Sequence, residues 1–433
     1  FSLLACLYTA AWLRRYVAFD AGWGGALLAL QPGVVIWSNA VMLNVPSMAF
    51  GMAALYHTRR WLEEPGRRQL LAALVFGALV TLTYFPAAVV PLVMGAWLLS
   101  EAGWRVLWRE HRPLVLLALS SLGALSLAIV HWVPLPLDLA LPDLESLRDP
   151  ARWLAYIWGL PKILNASIIF LAALAVPAAI LERRWRLDVR LLVIWILLTY
   201  AGLSYLWSQD PRYALLLAPA FVIMATIGLR ALVEAASVLL GAAASPCFRG
   251  TLFGLLAVNA CVAWVVPVPR IDGFRELASF VVRNAPTERT FFEGSCDGVF
   301  TFYVRAQDPA FRRAVVRGSK LLYASAIFQT WRLTERVSSA SQVVEALEKE
   351  CGCGWVAIEA PGGENEIGAV RSLREALRGP EFRLLRSFPV RAPSATHVDL
   401  YQFLGPLKIP EEIELPFPIL EGDPHLRARP IER

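Results

Sequence analysis

Apolar residues in this chain are gathered into long blocks: residues 114–133, 163–181, 191–207, 214–229 and 251–268 carry almost no charge except at their edges. Such blocks match the stretch of about 20 apolar residues that a helix needs to cross a bilayer core. They also set the composition, 57% hydrophobic and 18% charged, where a soluble chain sits near roughly one-half and one-quarter. A soluble enzyme is thereby excluded for residues 1–269, and so is disorder. The 16 Trp and 41 Lys and Arg gather mostly at block ends, the placement that membrane–water interfaces select. The net charge of +6 therefore reads as membrane anchoring. Its Arg residues are scattered singly and in pairs, which leaves no basic face for nucleic acid.

Arg-rich loops face the cytoplasm. The clusters are Arg14-Arg15; Arg59, Arg60, Arg67 and Arg68; Arg105, Arg109 and Arg112; Arg183, Arg184, Arg186 and Arg190; and Arg230 with Arg249. Loops between them are acidic or mixed, with Asp138, Asp143, Glu145 and Asp149 in residues 134–162 and a short polar turn at 208–212. Putting all clusters on one side requires two crossings between neighbours, about ten in all. The expected fold class is a polytopic α-helical membrane protein of about ten spans over residues 1–269, followed by a small extracytoplasmic α/β domain. Phe1 opens inside an apolar run that stops at Arg14-Arg15. That run reads as the second half of a first span, so the chain is expected to lack its beginning.

Two double crossings are cramped. One turns around Asn44-Val45-Pro46 and the other around Tyr84-Phe85-Pro86, each with a proline that ends or restarts a helix. Turns this short are expected below the outer surface, where irregular backbone is tolerated only when it lines an enclosed cavity. Ser38, Asn39, Asn44, Thr81, Thr83 and Tyr84 would line it. Polar side chains at membrane depth mark a functional site or bond neighbouring helices.

After Arg270 the pattern becomes that of a soluble domain. Residues 271–284 read as an amphipathic helix with Phe274, Leu277, Phe280 and Val281 on one face. Strands are predicted at 290–293, 314–316, 355–359, 383–388 and 397–404, with helices at 341–350 and 366–377. That alternation predicts an α/β domain over residues 270–405. No GxGxxG or GxxxxGK[ST] motif is present. Gly294-Ser295-Cys296-Asp297-Gly298 reads as a turn, or as a place to hold an anion on backbone N–H groups. The Pro- and Glu-rich tail, residues 406–433, is expected to extend without a core. Cys296 pairs with Cys351 or Cys353, or the thiols stay free. His57 and His111 fall in basic loops, His131 at a helix end, and no metal spacing appears. Asn165-Ala166-Ser167 matches a glycosylation sequon.

The stretch Trp37-Ser38-Asn39-Ala40-Val41-Met42-Leu43-Asn44-Val45-Pro46 resembles one in bacterial relatives of the dolichyl-phosphate-mannose–protein mannosyltransferases. These belong to the GT-C class of integral-membrane glycosyltransferases. Leu82-Thr83-Tyr84 is similar to a second element of that class, usually Leu-Thr-Lys, and Asp210-Pro211-Arg212-Tyr213-Ala214 resembles the Arg-Tyr that opens a late helix. The resemblance implies an inverting transferase in the bacterial plasma membrane, with its C-terminal domain periplasmic. Its partners would be a polyprenyl-phosphate sugar donor, membrane lipids and an acceptor on the outer face. The substrate-binding set it implies is Asn44, Tyr84, Arg212, Tyr213, Asp210 and Asn39, with Lys162, Trp158 and Tyr156 as supplements. The catalytic carboxylate, which activates the acceptor, is expected upstream of Phe1. Metal ligands are not assigned, and a divalent metal is left open as cofactor. Two departures stand out: Asn44 replaces an acidic residue and Tyr84 replaces a phosphate-binding Lys. Alternative readings are a lipid-linked substrate transporter or flippase, and a non-catalytic membrane assembly protein.

Overall fold

The computed structural model describes the chain except residues 39–42, 102, 111, 113–149, 206–210, 242, 269, 286, 288, 327–331, 362–365, 393, 411–412, 417–424 and 429–433. The apolar block at 114–133 and the acidic loop that follows it lie outside the described residues. Two compact units are present, one ending at Val268 and one following it.

The first unit is helical. Its helices are α1 Ser2–Tyr16, α2 Gly24–Ala29, α3 Pro32–Ser38, α4 Asn44–Glu63, α5 Arg67–Thr83 and α6 Val89–Ser100. They continue with α7 Pro150–Ile163, α8 Ala166–Leu181, α9 Arg183–Tyr205, α10 Ala218–Leu240 and α11 Ala244–Val265. Tight 3-10 turns at Phe19–Trp23, Phe85–Ala88 and Pro211–Leu217 punctuate them.

Among the described residues, 3 helices are long and apolar enough to cross a membrane: Arg183–Ser204, Pro211–Leu240 and Ala244–Val265. The pair α7–α8, bent by 118°, makes a fourth if it is one broken span. The described residues thus supply three or four of the roughly ten passes expected, and they do not supply them as spans separated by loops of arginine. That expectation requires loops at the Arg clusters, yet α9 begins at Arg183 one residue after α8 ends, and α4 runs through Arg59 and Arg60 to Glu63. The arginines end helices or pack inside them. Meanwhile α1, α5 and α6, at 15, 17 and 12 residues, fall short of the bilayer length.

Helix α10 packs on α8, where Gly228 meets the Leu171 carbonyl so closely that a Cβ would lie 2.0 Å from that oxygen. Only glycine lets the two backbones touch there. Trp12, Trp97, Leu192, Trp195 and Ile223 fill the core around them. Helix α11 is the opposite case, with Phe253, Val258 and Trp264 exposed as on a lipid-facing surface.

The second unit begins with α12 Phe274–Asn284, β1 Arg289–Glu293, α13 Asp297–Gln307 and β2 Ala314–Arg317. After a helical turn at Gly318–Leu321 come β3 Tyr323–Ala326, β4 Arg332–Glu335 and α14 Ala340–Glu345, which runs on as a π turn over Ala346–Cys351. Next are β5 Trp355–Ala360, α15 Gly368–Ala376, β6 Phe382–Pro389 and β7 His397–Phe403. Strands β2, β1 and β5 run parallel, and β7 and β6 close the 5-stranded sheet antiparallel, in the order β2-β1-β5-β7-β6. Alternation sends Phe291, Val356 and Ile358 to one face with Leu347 and Leu373. Phe292 and Ala357 go to the other face with Phe274, Leu277 and Phe300.

The 5 strands of this sheet and the helices α12, α14 and α15 fall where the apolar alternation predicts them. Helix α13 and the hairpin β3–β4 are additions. In the tail, β8 Ile413–Pro416 pairs with β9 His425–Ala428 as a separate two-stranded sheet. Cys351 is joined to Cys353, and Cys296 is a buried free thiol, which settles the pairing left open by the sequence.

Candidate functional site

Asn44 is the first residue of α4 and is buried, at 6% exposure. Tyr84 follows α5 in extended conformation (φ −157°, ψ 114°), because Pro86 two residues on cannot continue the helix and the chain restarts in a 3-10 turn. Arg212 and Tyr213 lie in the 3-10 turn that leads directly into α10. These are the resemblance-derived positions at three separate points of the sequence. The fold brings them together.

The Tyr84 side chain hydrogen-bonds with those of Tyr213 and Asn44. Its ring lies 5.8 Å from that of Tyr213 at an interplanar angle of 48°. The Arg212 guanidinium carbon stands 5.3 Å from the centre of the Tyr213 ring, within cation–π range, and its charge acts on the Tyr84 hydroxyl. One guanidinium, two phenols and a carboxamide thus form one half-buried cluster. Such a set can bind an oxyanion and orient hydroxyls. It holds no carboxylate, so a general base is not among these four.

The turn beneath Arg212 is fixed by packing. Gly159 of α7 fits against Pro211, where a Cβ would come within 3.3 Å, and α3, α4 and α9 also contact the turn. Of the supplementary residues on α7, Tyr156 is buried, while Trp158 and Lys162 are exposed. Asn39 and Asp210 lie outside the described residues. The other expected lining groups are spent locally. Thr81 donates to Gly77 O at 2.9 Å, Thr83 to Leu79 O at 2.6 Å, and Ser38 pairs with Ser2 at 2.7 Å.

Three polar arrangements escape the sequence reading. Gln31, Asn165 and Asn259 form an amide network. Gln31 Nε2 donates to Asn259 Oδ1 at 3.2 Å, Asn165 N donates to Gln31 Oε1 at 3.0 Å, and Asn165 Nδ2 donates to Asn259 Oδ1. This pins the α7–α8 corner to α11 and occupies the sequon asparagine internally. Arg59 is paired with Asp188 across α4 and α9. His57, expected in a loop, lies within α4, bonded to Tyr8 at 3.2 Å and Gln69 at 2.6 Å. Single buried polar residues inside apolar blocks carry no sequence signal that distinguishes these roles.

In the second unit, the Gly294–Gly298 segment does not await an outside anion. The Glu359 carboxylate accepts from Ser295 N and Cys296 N, both at 2.9 Å, and from Ser295 Oγ at 2.9 Å. Among the described residues no three His, Cys, Asp or Glu side chains gather to hold a metal ion.

No protein-family model matches the chain. No curated protein matches it either. Among solved structures, the cryo-EM structure of the arabinofuranosyltransferase AftD from Mycobacteria is similar at 16% identity and a TM-score of 0.45, over 95% of this chain and 34% of that one. The chain spans about a third of AftD's length.

Proposed function

We propose that the chain is part of a membrane glycosyltransferase of the GT-C type, moving sugar from a polyprenyl-phosphate-linked donor to an acceptor on the outer face of the membrane. The convergence of Asn44, Tyr84, Arg212 and Tyr213 carries this reading. A donor of this class brings an anionic phosphate that must leave water while its lipid tail stays among apolar helices. Arg212 supplies the charge. A guanidinium forks onto two phosphate oxygens and is less strongly hydrated than an ammonium, so it suits a half-dehydrated site. Tyr84 and Asn44 supply neutral donors beside it, replacing the Lys and the acidic residue of the resembled family. Tyr213 fixes the guanidinium through its ring. Inverting transfer also needs a carboxylate base at the acceptor, and that group comes from outside this cluster.

The test is sugar transfer from a radiolabelled polyprenyl-phosphate donor pool in membranes carrying the full-length protein. Arg212→Ala is expected to abolish most of it while leaving membrane insertion and folding intact. Undiminished transfer removes the cluster from the donor site.

A further inference from the structure

Strands β1 and β5 are parallel neighbours, and each delivers a carboxylate to its carboxyl end: Glu293 and Glu359. The chain leaves β1 for β2 on one side and crosses to β5 on the other, so this edge is where the winding reverses. The two carboxylates are treated differently. Glu359 is saturated by two backbone N–H groups and by the Ser295 and Ser394 hydroxyls. Among the described residues, Glu293 receives only the Tyr323 hydroxyl, at 2.9 Å on Oε1, while its Oε2 is buried with no hydrogen-bond partner. Gly318 closes over that oxygen, and a Cβ there would stand 1.8 Å from it.

Around Glu293, Tyr323 comes from β3, Asp297 from the first turn of α13, Glu359 from β5 and Arg374 from α15. Asp297 is itself paired with Arg317 at the end of β2, at 3.4 Å. Arg374 is engaged by Glu366 and by the Glu359 carbonyl. Among the described residues, Arg317 and Arg374 are both engaged by other groups, and a buried carboxylate with an unmet oxygen is costly.

We propose that Glu293 is a protonation-sensitive latch. While it is neutral, its Oε2 stays buried under Gly318 without a donor, and the turn Gly318–Leu321 and β3 stay seated on the carboxyl edge of the sheet. Once it is ionised, that oxygen is a buried charge with no donor, and the turn and β3 are released although the Tyr323 hydroxyl still donates to Oε1. The range is near neutral. Burial, reinforced by the charges of Asp297 and Glu359, pushes the Glu293 carboxyl up to about 7, against the pull of Tyr323 and Arg374. The sign follows from linkage. A carboxyl whose folded value lies above its unfolded one, 4.5, leaves the closed form unpenalised below 4.5. The penalty grows as pH rises, and is complete once pH has passed through the folded value.

Hydrogen–deuterium exchange of the full chain in lipid nanodiscs, corrected for intrinsic amide rates, tests this directly. Between about pH 5.5 and 8.5, peptides covering residues 289–293 and 318–323 are expected to lose at least about tenfold protection. Glu293→Gln, neutral at every pH, is expected to retain the low-pH protection throughout. A second variant does not depend on tolerance at position 293: Asp297→Asn removes a like charge and is expected to move the opening midpoint to lower pH. Flat protection in the wild-type chain, an equal loss in Glu293→Gln, or an unmoved midpoint in Asp297→Asn overturns the latch.

Discussion

Arg59 Nε lies 2.9 Å from Asp188 Oδ1, with the two side chains only 8% and 5% exposed. The guanidinium also sits 4.2 Å from the centre of the Tyr16 ring, so α1, α4 and α9 meet at one charge. Breaking such a pair leaves its partner charged and buried. Asp188→Ala is expected to destabilise the helical unit by about 3–5 kcal/mol. The double variant Arg59→Met with Asp188→Leu is expected to recover most of that loss. Thermal unfolding in detergent, read by fluorescence, separates the two outcomes.

The Tyr84 hydroxyl and the Arg212 guanidinium should differ in weight. Removing a neutral hydrogen bond costs about 0.5–1.5 kcal/mol, so Tyr84→Phe should slow transfer by up to about tenfold. Losing a preorganised charge at a developing phosphate typically costs about 10²–10³ in rate, and Arg212→Ala should fall there. Equal effects of the two variants would mean that the cluster acts through packing and does not bind an anion.

Asn259 has its side chain bonded to Gln31 and Asn165 and donates to Leu255 O at 2.8 Å. Asn259→Leu takes the acceptor from the Asn165 amide and leaves the Gln31 amide only Leu27 O, and about 1–3 kcal/mol of stability should be lost. Asn165 is expected to stay unglycosylated in a host that modifies sequons, which a glycosidase mobility assay reads directly.

The thiols should separate by environment. Cys247 and Cys261 are exposed on α11, the lipid-facing helix, whereas Cys296 is buried beside Glu359, and burial with that charge pushes it up to about 11. At about pH 7.5 a thiol of this kind is scarcely ionised. A maleimide should therefore leave Cys296 unlabelled in the folded chain and label it once the chain is denatured, followed by mass spectrometry.

Most of the second unit's sheet was legible before folding because β1, β5 and β7 alternate or run apolar between turn residues, and local pattern decides strand existence. The tail hairpin and β3–β4 were not, since their short polar strands owe their pairing to tertiary partners. In the helical unit the apolar blocks located α8, α9, α10 and α11. The arginines did not locate the loops, because charge at a block edge reads the same whether the arginine sits in a loop, ends a helix or, like Arg59, bonds inside one.

By itself the sequence determined that apolar helices come first and that an α/β unit follows, because burial demand and periodicity are written locally. Only tertiary structure decided which polar residues meet. Asn44, Tyr84 and Arg212–Tyr213 are brought into one cluster from distant points of the chain. Glu359 takes the N–H groups of the Ser295 turn and leaves Glu293 with a single donor among the described residues. Those outcomes depend on helix crossings and strand order, which are set by contacts far apart in the chain and leave no mark on any one segment.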